Sequence, residues 1–466
     1  MSQTINMTAS PEVYRKRRAR LTARLRRPMV VCGGQARPRQ YATNTYLFRA
    51  GSNYLYFGGP PIEGAAWLIE PQGDGEGGCT LFRPPAVFEE AVWVGEIPSD
   101  AALAAAAGIE QSNLASPDEL ASELAGREAC FVGPPCLPSL EWAQSLKLHP
   151  ANEDELLAII ELRLIKDEYE LAALRTAADV IVQAHKDAMR AAAPGRTEAQ
   201  VLAALLAGFT ARGCGPAFTP GVTVHAEILH NAGYFNTLES GQLLVIDAGA
   251  EEPGGYATDV TRTSPVSGSF TPIQRHIYDT VLRANREAVA TCVPGKRFRD
   301  IHDLAARVIC EGLVEAELLR GDPDELTARL AHTLFFVHGL GHLMGLDVHD
   351  MEDFGDLAGY APGRTRRPEF GNKFLRLDRD LQAGMVVTIE PGVYFIPALW
   401  QNDELVRPFA DVVNRPAVDA LLKDGFGGLR VEDDIHVRSA GAGGPEVLSA
   451  ALPSDAEGVA ALVAEI

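Results

Sequence analysis

Three short apolar segments of this 466-residue chain each run directly into an acidic residue. Segments this short and this apolar are typical of strands buried in a core. A carboxylate at the end of such a strand is costly to bury unless it pairs with a cation, takes up a proton or binds a metal ion. The fold must therefore give each of these side chains one of those partners. The junctions are residues 243–246 with Asp247, 386–389 with Glu390, and 429–431 with Glu432.

A fourth carboxylate and two histidines extend this pattern. Asp259 opens the segment 259–263, in which alternate residues share one face if the segment is a strand. His338 and His342 are four residues apart, so both would face one site on a helix. The glycines between them make helix unfavourable, and a loop is an equally good interpretation.

Four carboxylates and one imidazole form an oxygen-rich ligand set. This set suits Mn²⁺, and also Zn²⁺, Co²⁺ or Fe²⁺, better than an ion that prefers thiolates. Because four carboxylates repel one another strongly around one small cation, two ions about 3.5–4 Å apart and bridged by carboxylates are expected, with a water between them acidified to a hydroxide nucleophile. The alternative is a set of structural ion pairs with Arg262 and Arg430.

The length of the chain suggests more than one domain. In the first part, short apolar runs separated by Gly and Pro alternate with helical stretches, which is typical of an α/β domain. Pro150 and the polar residues 152–155 suit a boundary, so we expect a smaller N-terminal domain over residues 1–152. Over residues 153–466, helices grouped apart from strand-like runs favour an α+β domain.

Local signals also predict where individual helices begin. A long amphipathic stretch predicts a helix over about residues 166–192. Thr197 with Gln200, and Thr271 with Gln274, have the spacing of capping boxes. We therefore expect a helix to start at each of these pairs.

Composition excludes several other classes of protein. Lys and Arg total 42 and Asp and Glu total 62, so the net charge of −20 argues against nucleic acid as the main partner. No apolar run has transmembrane length, and the N-terminus lacks the apolar core of a signal peptide. The seven cysteines include no CxxC pair, so a thiolate zinc site is not expected. These features are compatible with a cytoplasmic enzyme without a membrane partner.

The order of the motifs resembles that of the pita-bread metallopeptidases, in the Xaa-Pro branch that contains prolidases and aminopeptidase P. The N-terminal part also resembles the accessory domain of that family, which is like the creatinase N-terminal domain, at residues 46–49, 56–58 and 93–95. The resemblance implies a pita-bread catalytic domain preceded by a smaller α/β domain. The matching catalytic segments are residues 246–249, 259–263, 338–342, 345–350, 388–392 and 430–434.

The resemblance implies a role for each predicted metal ligand. Asp247 would bind one ion, and His342 and Glu390 would bind the other. Asp259 and Glu432 would bridge both. The ions implied are two divalent metals, with Mn²⁺ expected first.

The resemblance also implies the remaining catalytic roles. Glu390 would act as general base and later as proton donor. His338 and His349 would stabilise the substrate carbonyl and the developing oxyanion. His230 would line the pocket for proline, and Arg430 would orient the neighbouring carboxylates.

The chain departs from the family pattern at three places, of which the first concerns the spacing of two ligands, expected to be kept, and the other two concern substrate preference. The spacing from Asp247 to Asp259 is one residue longer than usual, and the extra residue falls in the likely turn 251–255. Asn231 replaces an aromatic residue that often follows the pocket histidine. Residues 264–265 are Ser-Pro rather than the common Phe-Pro.

Prolidases and aminopeptidase P differ in whether the proline of the substrate carries a free carboxylate or continues into a longer peptide. A dipeptidase must bind the free carboxylate of Xaa-Pro, and arginine can clamp a carboxylate through two hydrogen bonds. Arg376 occupies the position of such an arginine in prolidases, and the insert 351–375 is also prolidase-like. We therefore favour an Xaa-Pro dipeptidase, with aminopeptidase P acting on longer peptides as the alternative. A solvent-exposed Arg376 without this role is the simpler interpretation of that residue.

Two further expectations follow from the resemblance. Metal-free binding proteins and creatinase-like hydrolases share the fold, but they would be expected to lack several of the five ligands. The expected partners are proline-containing peptides and further copies of the chain, in a homodimer or homotetramer. Trp93 is the residue expected to reach a neighbouring site.

Overall fold

The computed structural model describes residues 7–72, 77–87, 91–93, 95, 98–231 and 233–464. The chain divides into two compact units. Unit 1 consists of Met1–Leu164 with Pro253–Gly255, and unit 2 of Ile165–Glu252 with Tyr256–Ile466. The division thus assigns residues 153–164 to unit 1, and the boundary expected after residue 152 stays a prediction.

Unit 1 has the α/β character expected from the sequence. Its described strands form a sheet in the order β4-β3-β2-β1-β5-β6. β2 is antiparallel to β1 and β3, whereas β3–β4, β1–β5 and β5–β6 are parallel pairs. The strands are β1 (Met29–Cys32), β2 (Ala66–Ile69), β3 (Cys79–Phe82), β4 (Leu114–Ala115), β5 (Cys130–Val132) and β6 (His149–Pro150). The helices are α1 (Pro11–Thr22), α2 (Ser52–Tyr56), α3 (Asp100–Ala107), α4 (Pro117–Glu123), α5 (Leu137–Ser145) and α6 (Glu153–Leu164).

The core of unit 1 lies between this sheet and its helices. Val30 and Phe82 from the sheet are buried in one cluster with Leu120 of α4 and Ala143 of α5. Burying apolar area in this way is the main stabilising contribution to the unit. Trp93 is 86% exposed, and the neighbouring Val94 of the expected motif lies outside the described residues.

Unit 2 contains the longest helices and the strands that carry the predicted ligands, which confirms the α+β expectation. Its described helices are α7 (Glu168–Ala191), α8 (Glu198–Thr210), α9 (Pro272–Ala290), α10 (Phe298–Glu315), α11 (Pro323–Ala328), α12 (Asp356–Gly359), α13 (Pro397–Trp400), α14 (Asp403–Val406), α15 (Arg415–Lys423) and α16 (Ala456–Ala464). Its described strands are β7 (Gly215–Pro216), β8 (Gly221–Thr223), β9 (Leu243–Ala248), β10 (Ala250–Glu251), β11 (Val260–Pro265), β12 (Val386–Ile389), β13 (Gly392–Tyr394), β14 (Gly428–Arg430), β15 (Asp433–His436) and β16 (Glu446–Val447).

The predicted helix starts are confirmed by their hydrogen bonds. The Thr197 side chain accepts from the Gln200 backbone N–H, and the Gln200 side chain accepts from the Thr197 N–H. Thr271 and Gln274 exchange the same pair of bonds at the start of α9. These bonds satisfy backbone donors that a helix start leaves without intrahelical partners.

Antiparallel pairing brings the predicted ligand segments of unit 2 together. β9 lies between β8 and β11, with Asp247 opposite Gly221 on one side and Thr261 on the other. β12 pairs with β15, and β13 pairs with β14. Among the described residues, no helix combines the length and the apolar character needed to cross a bilayer.

The helix α9 connects two of these strand ends. The Asn285 amide donates to the carbonyl of Ile389, at 3.0 Å, and to that of Val431, at 3.4 Å. Both carbonyls belong to residues directly before a predicted ligand, so one buried side chain fixes both positions.

Candidate metal centre

The five predicted ligands lie at strand ends or in a loop of unit 2. Asp247 lies near the end of β9, and Asp259 directly precedes β11. Glu390 directly follows β12, and Glu432 lies between β14 and β15. His342 lies in irregular backbone. Each apolar strand therefore carries its polar residue to the same region of the core.

Ligand atoms converge in two groups made of these five residues alone, and a third group joins Asp259 and His342 to His349. One atom each from His342, Glu390 and Glu432 lies within 4.8 Å of the others, and the same holds for Asp247, Asp259 and Glu432. Glu432 belongs to both groups. This sharing is what a carboxylate that bridges two cations requires.

The electrostatics of the cluster fit cations. Burial, and next the charge of Glu432, raises the pKa of Asp259 well above its usual range. Burial and the charge of Glu390 raise the pKa of Glu432 in the same way. Among the described residues, the buried Oδ1 of Asp259 has no hydrogen-bond partner. Carboxylates buried so closely repel one another, and two hard divalent cations would neutralise that repulsion.

His342 is oriented as a metal ligand would be. Its Nδ1 lies 3.0 Å from the Leu343 carbonyl, so Nδ1 is assigned the proton and Nε2 keeps its lone pair. Nε2 lies 3.5 Å from Asp259 Oδ2 and 3.7 Å from Glu390 Oε1. This arrangement matches the backbone anchoring that metal-binding histidines usually have.

The backbone around His342 is a loop, which decides between the two sequence-based interpretations. The His342 N–H donates to Thr388 Oγ1 at 3.0 Å. A Cβ on Gly341 would lie 2.0 Å from the Thr388 carbonyl oxygen, a distance no side chain tolerates. The glycine is thus required for close approach to β12, not for a turn.

Arg430 orients one side of the cluster. Its Nη2 donates to Asp247, its Nε donates to Thr261 Oγ1 at 3.0 Å, and its Nη1 donates to the Tyr394 hydroxyl at 2.8 Å. Thr261 in turn donates to Glu432 Oε2 at 2.6 Å. The guanidinium therefore fixes Asp247 directly and Glu432 through Thr261.

Arginine pairing accounts for only part of the negative charge. Arg262 pairs with Asp433 at 2.7 Å and donates to the Glu432 carbonyl, rather than to any predicted ligand side chain. Arg430 pairs with Asp247 and lies 3.7 Å from Glu432. Among the described ion pairs, neither arginine reaches Asp259. The alternative of purely structural ion pairs leaves that carboxylate unexplained.

His338 has both ring nitrogens engaged. Its Nδ1 lies 2.8 Å from the Gly339 carbonyl and its Nε2 lies 2.9 Å from the Tyr394 hydroxyl. Burial, with Arg430 adding to it, lowers the pKa of His338 to about 3. The ring is therefore neutral and is held by its neighbours next to Glu390, with 3.6 Å between Nδ1 and Oε2.

His349 is held from the side away from the cluster. Its Nδ1 pairs with the Glu352 carboxylate, and its ring centroid lies 4.2 Å from that of His342. Burial, and next the charge of Arg376, lowers the pKa of His349 to about 4. Because Nδ1 donates to Glu352, Nε2 carries a lone pair in the neutral ring and gains an N–H only when the ring is protonated.

Glu390 has the environment of a base that works near neutrality. Burial raises its pKa to about 7, although Arg430 and His349 oppose this shift. In the metal-free protein this carboxyl group therefore takes up a proton near neutral pH, and a bound cation would take the place of that proton.

A cavity of about 850 Å³ opens above the cluster. The five predicted ligands line it together with His338, His349, His230, Arg376 and Arg430. Its apolar wall is formed by Phe370, Phe374, Ile396, Leu399 and Leu405. The structure thus brings every predicted site residue to one cavity, while their individual roles stay predictions.

The segment that carries His230 is tied to α8 by a buried acid. Glu198, in the first turn of α8, accepts from the Val224 N–H at 3.0 Å and from the Asn236 N–H at 3.1 Å. Asn231 donates to Thr223 Oγ1 at 2.9 Å, so it anchors the backbone next to His230.

Sequence reasoning missed three supporting residues. Tyr394 joins Arg430 to His338, Asp434 accepts from the Asp259 N–H at 3.1 Å, and Glu352 joins His349 to Arg376. Asp434 lies two residues after Glu432, so its position near the cluster could have been predicted from the sequence. Tyr394 acts through contacts with residues far along the chain, and Glu352 contacts the nearby His349 but also Arg376, 24 residues away, which no local pattern predicts.

Comparison with known proteins places this geometry in a family. Residues 172–439 match the model of Metallopeptidase family M24, and residues 14–129 match that of Aminopeptidase P, N-terminal domain. The chain is 32% identical over 459 residues to Xaa-Pro aminopeptidase 1 of Streptomyces coelicolor, covering 94% of this chain and 84% of the relative. It is 31% identical over 467 residues to the Xaa-Pro dipeptidase of Homo sapiens, covering 91% and 88%.

Solved structures with a similar fold also come from aminopeptidase P proteins. Proline aminopeptidase P II from Yersinia pestis superposes with a TM-score of 0.78 at 28% identity, covering 98% of this chain and 100% of that one. Zn-substituted E. coli aminopeptidase P in complex with product gives a TM-score of 0.79 at 27% identity, covering 98% of each chain. The predicted resemblance to pita-bread metallopeptidases is confirmed, and the chain belongs to metallopeptidase family M24.

Proposed function

We propose that this chain hydrolyses the bond between an N-terminal residue and a following proline. The observation that carries the proposal is the pair of ligand groups sharing Glu432 at the base of the cavity. The names of its relatives, Xaa-Pro aminopeptidase and Xaa-Pro dipeptidase, support proline as the second residue of the substrate.

Two divalent cations, with Mn²⁺ as the proposed ion, would be held by the five residues of the cluster. Asp247 would bind one ion, His342 and Glu390 the other, and Asp259 and Glu432 both. When bound, they supply a Lewis acid for the scissile carbonyl and lower the pKa of a water toward neutrality.

Glu390 is the proposed proton carrier. Its carboxylate takes a proton from the attacking water as the carbonyl carbon gains the new C–O bond. It returns that proton to the prolyl nitrogen as the C–N bond breaks. Bound cations would keep this carboxylate ionised, so it could accept the proton of the water and then deliver it to the more basic nitrogen.

The histidines have different proposed roles in stabilising and positioning the substrate. We assign His349 to the developing oxyanion, a role that requires the protonated ring, because Nε2 carries an N–H only when Nδ1, which donates to Glu352, is protonated as well. His338, with both nitrogens engaged, positions Glu390 and the substrate by contact rather than by a free N–H. His230 lines the side of the cavity proposed for proline, and Arg430 holds Asp247 in place.

Two substrate lengths are candidates. Arg376 lines the cavity, as a dipeptidase requires, and this supports the sequence-based preference for Xaa-Pro dipeptides. However, Arg376 already pairs with the Glu352 carboxylate. A guanidinium that is occupied binds a substrate carboxylate less well, so we favour the aminopeptidase, acting on longer peptides. Assembly as a homodimer or homotetramer stays a prediction.

The test measures metal content and cleavage together. The protein is stripped with EDTA, reloaded with Mn²⁺, and assayed on Xaa-Pro-Yaa, Xaa-Pro and a control peptide with alanine in place of proline. We expect about two ions per chain, cleavage only after reloading, and a rate on the alanine control lower by about tenfold or more. A protein that binds no divalent metal and cleaves none of these peptides would contradict the proposal.

A further inference from the structure

Arg376, which lines the cavity, forms an ion pair with the carboxylate of Glu352. Glu352 begins a short 3₁₀ turn, Glu352–Phe354, just after His349. Its Oε1 accepts from Arg376 Nη1, and its Oε2 pairs with His349 Nδ1. One side chain therefore links the candidate carboxylate clamp to the candidate oxyanion group.

We propose that Glu352 is a specificity-determining residue that occupies Arg376 in place of a substrate carboxylate, and so disfavours free Xaa-Pro dipeptides relative to longer peptides. This inference rests on the proposed function and deepens it. A guanidinium binds carboxylates through a planar fork, and a second carboxylate must displace the first or share its donors.

The backbone holds Glu352 where this competition occurs. Met351, buried directly before it, adopts a left-handed backbone conformation with φ of 61°. That conformation is uncommon for a residue with a side chain and persists only where the surroundings enforce it. The Glu352 N–H donates to the His349 carbonyl at 3.2 Å, and its own carbonyl accepts from the Gly355 N–H at 2.9 Å. The turn is therefore built to present this carboxylate.

Exposure sets the strength of the competition. The Glu352 side chain is 43% exposed and that of Arg376 is 37% exposed. Ion pairs this accessible to water are weak, so a substrate carboxylate can compete but starts at a disadvantage. The expected consequence is a shift in preference rather than exclusion of dipeptides.

Glu352 contacts His349 as well as Arg376, and a test must separate these two contacts. Glu352 also holds His349, so removing its charge changes the rate on every substrate. Only the ratio between a substrate with a carboxylate at the proline and one without it isolates competition at Arg376. The dipeptide Xaa-Pro and its amide Xaa-Pro-NH₂ form that pair.

The experiment compares kcat/KM for Xaa-Pro and Xaa-Pro-NH₂ in the Mn²⁺-loaded wild type, E352Q, R376Q and the double variant E352Q/R376Q. In E352Q we expect the ratio in favour of Xaa-Pro to rise about fivefold, through KM for the dipeptide. In the double variant this gain should disappear. In R376Q alone the ratio should change by less than about twofold, because the wild-type guanidinium is occupied.

A matched control removes one negative charge nearby without touching the pair. Glu369 is exposed and precedes Phe370 of the cavity wall, so E369Q reports the general electrostatic effect. Its ratio should equal that of the wild type.

Three outcomes would overturn the inference. They are an unchanged ratio in E352Q, a gain that survives in E352Q/R376Q, and a selective loss on Xaa-Pro in R376Q. Each leaves the proposed function standing if the amide and Xaa-Pro-Yaa are cleaved. A wild type that cleaves no Xaa-Pro substrate overturns both.

Discussion

At the scale of single residues, Asp259 is the most constrained member of the cluster. One of its oxygens has no hydrogen-bond partner among the described residues, and burial together with the charges of four other carboxylates raises its pKa. Such a position is unfavourable to an apoprotein and favourable to a metal complex. The sequence identified Asp259 because it opens a strand segment. The neighbouring carboxylates that surround it in the fold could not be predicted from the sequence.

The variant D259N separates the effect of Asp259 on apoprotein stability from its effect on metal binding. The neutral amide avoids both the repulsion of an ionised Asp259 and the cost of protonating it, so we expect the apoprotein to gain on the order of 1 kcal/mol of unfolding free energy. Metal binding should weaken at the same time, with a loss of peptidase activity. Denaturant unfolding with EDTA, and metal content after dialysis, measure the two effects. Lower apoprotein stability in D259N would contradict this account of the cluster.

At the scale of elements, α9 connects strand ends that are distant in sequence. Its start was predictable, because the Thr271–Gln274 capping box is local. Its function in fixing the site was not, because the bonds from Asn285 to the carbonyls of Ile389 and Val431 span more than a hundred residues. The helix thus sets the positions from which Glu390 and Glu432 leave their strands.

The variant N285A tests this connection. Two buried carbonyls would lose a donor, so we expect the unfolding free energy to fall by about 1–3 kcal/mol. Metal affinity should fall as well, because both strand ends gain freedom. The control is E287A on the same helix, where the side chain is exposed. Equal metal affinity in the wild type and N285A would show that Asn285 supports stability alone.

At the scale of the whole molecule, the buried carboxylates link stability to pH and to metal. Burial raises the pKa of Glu390 from 4.5 to about 7. A group whose pKa is raised in the folded state contributes stability below its unfolded pKa, and loses it as pH rises through the folded value. The apoprotein is therefore stabilised by protonation of this cluster.

This linkage predicts opposite behaviour with and without metal. In EDTA, the melting temperature should fall as pH rises from about 4.5 to about 7. With Mn²⁺ bound, the cations should replace the protons and remove most of this decline. Thermal melts across that range, with E390Q as the control for one of the contributing groups, measure the effect. An apoprotein whose stability rises over this window would contradict the sign.

Local chemistry in the sequence determined the candidate ligands and the helix starts. Asp247, Glu390 and Glu432 follow apolar runs that had to become buried strands, and capping boxes depend on residues three apart. Only the tertiary structure decided that Glu432 belongs to both ligand groups and that Glu352 sits on Arg376. Those contacts join segments far apart along the chain, and they form only when packing brings independent strands and turns to one cavity.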